Sequence, residues 1–285
     1  MRKENDEWHF QTHPYPPFVP EKAEILLLGS APPFRFCTGD KANLRNRDFD
    51  YYYGSSSNLF WEILFGVFEP ENLTELDILR KSESADRMTR KETKSYLQSF
   101  LTRHKLALTD ILSRFLRCGE SAADYQLHVL EYHDLVTLLQ KHRSLKAICC
   151  TSKNRVFFWL WQYLEIQACA GLIEPDENRE GFILRNQTEN LVFSTNHDNP
   201  IPHPGLDPGS LLIARDSCFR RNEGTGSFLG KTEQLEKRYI QVKILPSPSA
   251  RGIMRFANRA EFIRDCRKRY REILLQFYPE NSLSH

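Results

Sequence analysis

Continuous apolar runs and longer amphipathic stretches alternate along this chain. Residues 23–29 (AEILLLG) form an unbroken apolar run closed by glycine, the pattern of a strand buried on both faces of a parallel sheet. Residues 106–109, 145–150 and 241–245 are shorter runs of the same kind. Helical stretches fall between them. Residues 58–68 (NLFWEILFGVF) read as a buried helix, and the aromatic-rich residues 155–168 as another. Thr89-Arg-Lys-Glu92 matches a capping box, so a helix should open there and run to about Arg103, with Tyr96, Phe100 and Leu101 as its apolar stripe. A further helical stretch is expected over 122–142, broken near Tyr132, and a hairpin or edge strand over 181–194. Strands alternating with helices predict an α/β fold: three layers, α/β/α, around a mostly parallel central sheet.

The 285 residues suffice for one large α/β domain. Residues 1–22, polar and then punctuated by Pro14, Pro16, Pro17 and Pro20, read as an extended N-terminal arm, and 23–280 as a single domain. Residues 196–230 are rich in Pro, Gly, Asn and Asp and read as an insertion. With 39 Lys+Arg against 37 Asp+Glu, 27% charged and 40% hydrophobic residues, the composition is that of an ordinary globular protein. No apolar run reaches the roughly 18 residues of a membrane span, and the polar N-terminus has no secretory apolar segment. Seven cysteines without a C-x-x-C pair argue against a disulfide framework, a zinc ribbon and an iron–sulfur cluster; Cys149 and Cys150 read as core residues in a reducing cytoplasm. The small net charge of +2 hides a local excess. Between Arg251 and Arg271 eight basic residues face two acidic ones. That segment is either a solvated helix face or a surface for phosphates.

In doubly wound sheets, ligands sit at the carboxyl ends of the strands. The loops Gly29-Ser-Ala-Pro-Pro33, Leu108-Thr-Asp110 and Leu245-Pro-Ser-Pro-Ser-Ala-Arg251 leave there. Together with Tyr53-Gly-Ser-Ser-Ser-Asn-Leu-Phe-Trp61, in this order, they make the chain resemble the uracil-DNA glycosylase superfamily, especially its mismatch-specific uracil/thymine and hypoxanthine branches. The resemblance covers the framework of 23–275 and leaves out the arm, residues 70–95 and the insertion. It implies hydrolysis of the N-glycosidic bond of a nucleotide flipped out of duplex or single-stranded DNA, with no metal and no cofactor. It also implies a monomer, cytoplasmic and, in a bacterium, nucleoid-associated. The motif loops carry no lysine to form a Schiff base, so a monofunctional enzyme is expected.

The resemblance places Ser30 and Ala31 against the base. Many relatives hold a water-activating Asp or Asn at the position of Ala31, which can activate nothing; the hypoxanthine branch relies instead on the Asn before Phe-Trp. Asn58 is therefore the first catalytic candidate, and capping its helix is the competing role. Tyr53 falls where relatives stack an aromatic on the extruded base, with ordinary packing as its alternative and Tyr51 and Tyr52 as competitors. Gly54–Ser57 either leave room for a large base or make a flexible turn. Asp110 accepts N–H groups of a base edge, donates a proton if desolvated, or caps a following helix. Asp48 and Asp50 are reserves for acid–base work. By resemblance, Ser247 and Ser249 grip phosphates, Arg251 wedges into the gap left by flipping, and Arg255 continues the contact with the backbone. His128 and His133 read as surface residues of a helix; His197 and His203 lie in the insertion without ligand spacing.

Three readings of function stand at this point. The first is excision of a damaged base such as uracil or hypoxanthine, or of a bulkier modified cytosine in defence against foreign DNA. The second is a DNA-binding protein of the same fold without chemistry, suggested by Ala31. The third is an interaction protein using residues 196–230.

Overall fold

The computed structural model describes residues 7–82, 87–120, 122–185, 237–249 and 256–278. Its strands are β1 (Trp8–Thr12), β2 (Ile25–Gly29), β3 (Leu106–Asp110), β4 (Leu112–Cys118), β5 (Leu127–Tyr132), β6 (Ala147–Cys150), β7 (Ile173–Pro175), β8 (Gly181–Arg185) and β9 (Lys237–Ile244). The main sheet runs β3-β2-β6-β9-β8-β7. Its first four strands are parallel, and β8 and β7 finish it antiparallel.

The helices are α1 (Phe34–Cys37), α2 (Phe60–Phe68), α3 (Leu73–Ser82), α4 (Arg87–Arg103), α5 (Leu135–Lys141), α6 (Val156–Cys169) and α7 (Arg259–Leu274). Alternate residues of β2 serve opposite faces. Ile25 and Leu27 join Trp61 and Phe65 of α2, Phe100 of α4 and Tyr270 of α7. Leu26 and Leu28 join Leu135 of α5 and Leu160 of α6. Both faces of the sheet are covered, so the fold is the three-layer α/β/α arrangement with a mostly parallel centre.

A second, antiparallel sheet of order β1-β4-β5 departs from the expected pattern. The N-terminal arm supplies its first strand, with Trp8 opposite Cys118 and Thr12 opposite Arg114. Farther along, Phe18 and Leu108 exchange backbone hydrogen bonds of 3.0 and 2.9 Å, which covers the outer edge of β3. The helix expected over 122–142 is instead β5 followed by α5. Leu127 and Val129, partly buried, alternate with exposed His128 and Leu130, a period of two. Asp134 starts α5 by accepting from Thr137 N at 3.0 Å. The capping box is also corrected: α4 already runs from Arg87, so Thr89 lies inside the helix.

The basic segment divides its charges. Arg259 pairs with Glu62 at 2.7 Å, Arg267 donates to Glu62 O at 3.2 Å, and Arg271 to Val67 O at 3.4 Å. These three bind α7 to α2, and Arg271 meets the negative end of the α2 dipole. They are not a free phosphate face. Arg251, Arg255 and the insertion at 196–230 lie outside the described residues.

Arg117 on β4 fastens the second sheet to the first motif loop. It is buried, and its guanidinium donates to Gln11 Oε1 and to Pro32 O, each at 2.7 Å. Arg117→Met should leave both acceptors dry and unpaired and lower the unfolding free energy by about 2–3 kcal/mol. Urea unfolding checks this; a loss within about 0.5 kcal/mol, as at an ordinary surface site, would contradict it.

Candidate active site at the carboxyl edge of the sheet

The register of β2 and β3 sets Gly29 beside Asp110. A Cβ on Gly29 would collide with Asp110 Oδ1 and with the Tyr53 hydroxyl. Glycine at this strand end lets a carboxylate and a phenol approach the backbone together. Asp110 Oδ2 lies 2.9 Å from His13 Nε2. After Asp110 the chain turns directly into β4, with Ile111 N donating to Gly29 O at 2.8 Å. No helix follows, so the capping role considered for Asp110 is excluded.

A second carboxylate stands nearby. Asp124, between β4 and β5, accepts from Ser30 Oγ at 2.9 Å. Burial pushes its carboxyl up, the Ser30 bond opposes this, and the charge of Asp110 adds to the rise. The charge of Asp110 is also felt by Tyr52, Tyr53, Cys37 and His133.

Tyr53 stacks on Phe60, with ring centroids 4.0 Å apart and planes 15° from parallel. Thr151 Oγ1 donates to Leu28 O at 3.0 Å, so the Tyr53 hydroxyl is the donor in its 2.9 Å bond to Thr151 Oγ1. Burial first, and then Asp110, raise this phenol well above its ordinary range. One ring face is thus used for packing. Tyr51 and Tyr52 are buried in the core and do not compete for the stacking role.

The loop leading to Asn58 is a hydrogen-bonded turn rather than a flexible one. Tyr53 adopts φ +52°, costly for a bulky side chain, and a Cβ on Gly54 would strike the carbonyl of Phe49. Asp48 holds the turn. It accepts from Arg35 Nε (2.6 Å), Arg35 NH2 (3.2 Å), Arg45 N (2.9 Å) and Ser56 N (2.7 Å). Against the burial that would raise it, these bonds keep its carboxyl below the usual range. Asp50 is paired with Lys41 at 2.5 Å and accepts from Tyr15. The reserve acid–base roles of Asp48 and Asp50 are therefore not supported: both carboxylates are tied into structure.

Asn58 Oδ1 accepts from Phe60 N at 2.9 Å, so Asn58, one residue before the N-cap Leu59, ties down the first N–H of α2. Its Nδ2 donates to no described residue. The backbone of Asn58 bridges to Ser249, and Leu59 N donates to Pro248 O at 3.1 Å. The Pro-Ser loop is thereby pinned to the Asn loop. Ser247 is exposed, and Tyr270 donates to Pro246 O at 3.0 Å. Ser30, Ala31, Tyr53, Asn58, Asp110, Ser247 and Ser249 thus all belong to loops or strand ends joined at the carboxyl end of the parallel strands.

No protein-family model and no curated protein matches the chain. Among solved structures it is similar to the solution NMR structure of a "putative uracil DNA glycosylase" from Methanosarcina acetivorans. The two chains share 16% identity, with a TM-score of 0.43, over 93% of this chain and 98% of that one.

Three residues of the site escape the sequence reading: His13, Asp124 and His133. His133 is not a surface residue. Its ring lies 5.4 Å from that of His13, and its buried Nε2 has no partner among the described residues. Only the odd pairing of a histidine with prolines at 13–20 could have drawn attention to His13. Among the described residues no group of three or more His, Cys, Asp or Glu is arranged to hold a metal ion, and no helix is long and apolar enough to cross a membrane.

Burial, reinforced by the electrostatic influence of His13 and opposed by Asp110 and Glu131, lowers the His133 imidazole from 6.5 to about 4. The unfolded chain takes up this proton near pH 6.5, the folded protein only near 4. The contribution of His133 to stability is whole above pH 6.5 and is lost as pH falls toward 4. Compared with His133→Gln, the natural protein should lose urea resistance across that window; parallel profiles would contradict this.

Proposed function

We propose that the protein is a monofunctional DNA glycosylase, which extrudes a damaged or modified base and hydrolyses its N-glycosidic bond, leaving an abasic site. The observation that carries this reading is the meeting of Gly29–Ala31, Tyr53–Asn58, Asp110 and Ser247–Ser249 at one edge of a doubly wound sheet, with two carboxyl groups in unlike surroundings. One carboxyl that burial pushes up and one that is held by a histidine suit a reaction that needs both an acid and an acceptor.

In this reading the base lies beside Gly29, Ser30 and Ala31, against the ring of Tyr53. While the bond between C1′ and the base nitrogen breaks, Asp110 orients the base by accepting from an N–H of its edge. Asp124, whose carboxyl burial pushes up, gives its proton to the departing base. Water then adds to C1′ and loses a proton to solvent, and Asp124 is reprotonated. The Nδ2 amide of Asn58 holds the base or the water, while its Oδ1 continues to tie down the first N–H of α2. Ser247 and Ser249 meet the phosphates, joined by Arg251 as the wedge and Arg255. The substrate class spans uracil and hypoxanthine to bulkier modified cytosines, in repair or in defence, and a monomer in the cytoplasm suffices.

A second reading, a DNA-binding protein without chemistry, is favoured by Ala31 and by the use of Asn58 Oδ1 on the Phe60 N–H. One experiment separates them. DNAs carrying uracil, hypoxanthine or modified cytosines are incubated with the protein, and released base is identified by mass spectrometry. Release from one of them is expected; binding without release from any would favour the second reading. Asn58→Asp keeps the acceptor for Phe60 N and removes the amide. It should slow single-turnover release about 100-fold or more while leaving the melting temperature nearly unchanged. A full rate in this variant would remove Asn58 from the chemistry.

A further inference from the structure

The N-terminal strand delivers a histidine into the site. His13 N extends the β1–β4 ladder by donating to Ser113 O at 2.8 Å, which carries the ring back to the strand end where Asp110 lies. The two side chains are almost dry, 1% and 7% exposed, and share the 2.9 Å bond between Nε2 and Oδ2. A buried carboxylate so placed needs this donor.

The other ring nitrogen has two partners from one residue. Nδ1 lies 2.8 Å from Tyr15 O and 3.1 Å from Tyr15 N. A neutral ring accepts there from Tyr15 N–H, and a charged ring donates to Tyr15 O. Both forms keep Nε2–H on Asp110. The rings of Tyr15, Tyr52 and His133 at 5.8, 5.2 and 5.4 Å fix the plane of the imidazole.

Asp110 is left with one oxygen uncommitted. Oδ1 sits over Gly29 beside the Tyr53 hydroxyl, and that hydroxyl gives its proton to Thr151. No described residue donates to Oδ1. We propose that His13 is the positioning residue of the site: it pins Oδ2 so that Oδ1 is held as an acceptor, selecting a nucleobase edge that presents a ring N–H. This rests on the glycosylase reading and adds a residue and a selection rule to it.

The test uses the full chain and duplex oligonucleotides containing one deoxyuridine or one deoxyinosine, both of which present a ring N–H. Single-turnover release is compared for the natural protein, His13→Gln, His13→Ala, Asp110→Asn and the double variant His13→Ala/Asp110→Asn. His13→Ala should lose about 100-fold through misplacement of Asp110. Added imidazole should restore part of the loss, and His13→Gln, whose amide can donate to Oδ2, should stay within about tenfold of the natural rate. The double variant should be no slower than Asp110→Asn, because both act through one carboxylate. A full rate for His13→Ala, or multiplied losses in the double variant, would overturn this assignment alone. So would a His13→Gln protein that melts normally yet is as slow as a folded His13→Ala. Release of neither base by the natural protein, with release of another from the wider panel, would overturn the N–H rule alone. Failure to release any base would overturn the glycosylase reading with it.

Discussion

The parallel register of β2 and β3 is the constraint on which the site depends. It brings Gly29, without a side chain, beside Asp110, so that a carboxylate and the Tyr53 hydroxyl occupy the space a Cβ would take. The second sheet grows from the same point. β4 leaves directly after Asp110, β1 pairs with it, and the pairing returns His13 to the carboxylate. On the other side Thr151, at the end of β6, holds the phenol. The placement of Gly29, Asp110 and His13 is set by backbone ladders rather than by loops, the more exact way to fix these three residues.

The acidic groups near this edge do different work because their surroundings differ. Asp48 accepts four hydrogen bonds and serves the turn. Asp110 faces a histidine, and Asp124 has a serine hydroxyl and little water. Desolvation pushes the Asp124 carboxyl up. The proposed reaction uses the difference in surroundings, an acceptor at the base edge and an acid at the leaving nitrogen.

Much of the main sheet could be read from the chain, because a strand buried on both faces leaves an unbroken apolar run, as in Ile25–Gly29. The motif loops could be read as well, since glycine, proline and asparagine mark strand ends and caps. The smaller sheet could not. β5 (Leu127–Tyr132) is short and only half-buried, and its period of two is easily taken for part of a helix. The basic run at 251–271 misleads for another reason: charge in sequence does not tell whether an arginine faces solvent or a neighbouring helix carbonyl, as Arg267 and Arg271 do. His13 lies 97 residues from Asp110, and no local pattern joins residues that meet only through strand pairing.

The central claim is that Asp110 Oδ1, beside Gly29, meets the extruded base. A structure of the protein with duplex DNA carrying a non-hydrolysable 2′-fluoro nucleotide tests it most directly. The account predicts the base stacked beside Tyr53, with a ring N–H about 3 Å from Asp110 Oδ1. A base left stacked in the duplex, or bound away from Gly29 and Asp110, would contradict it.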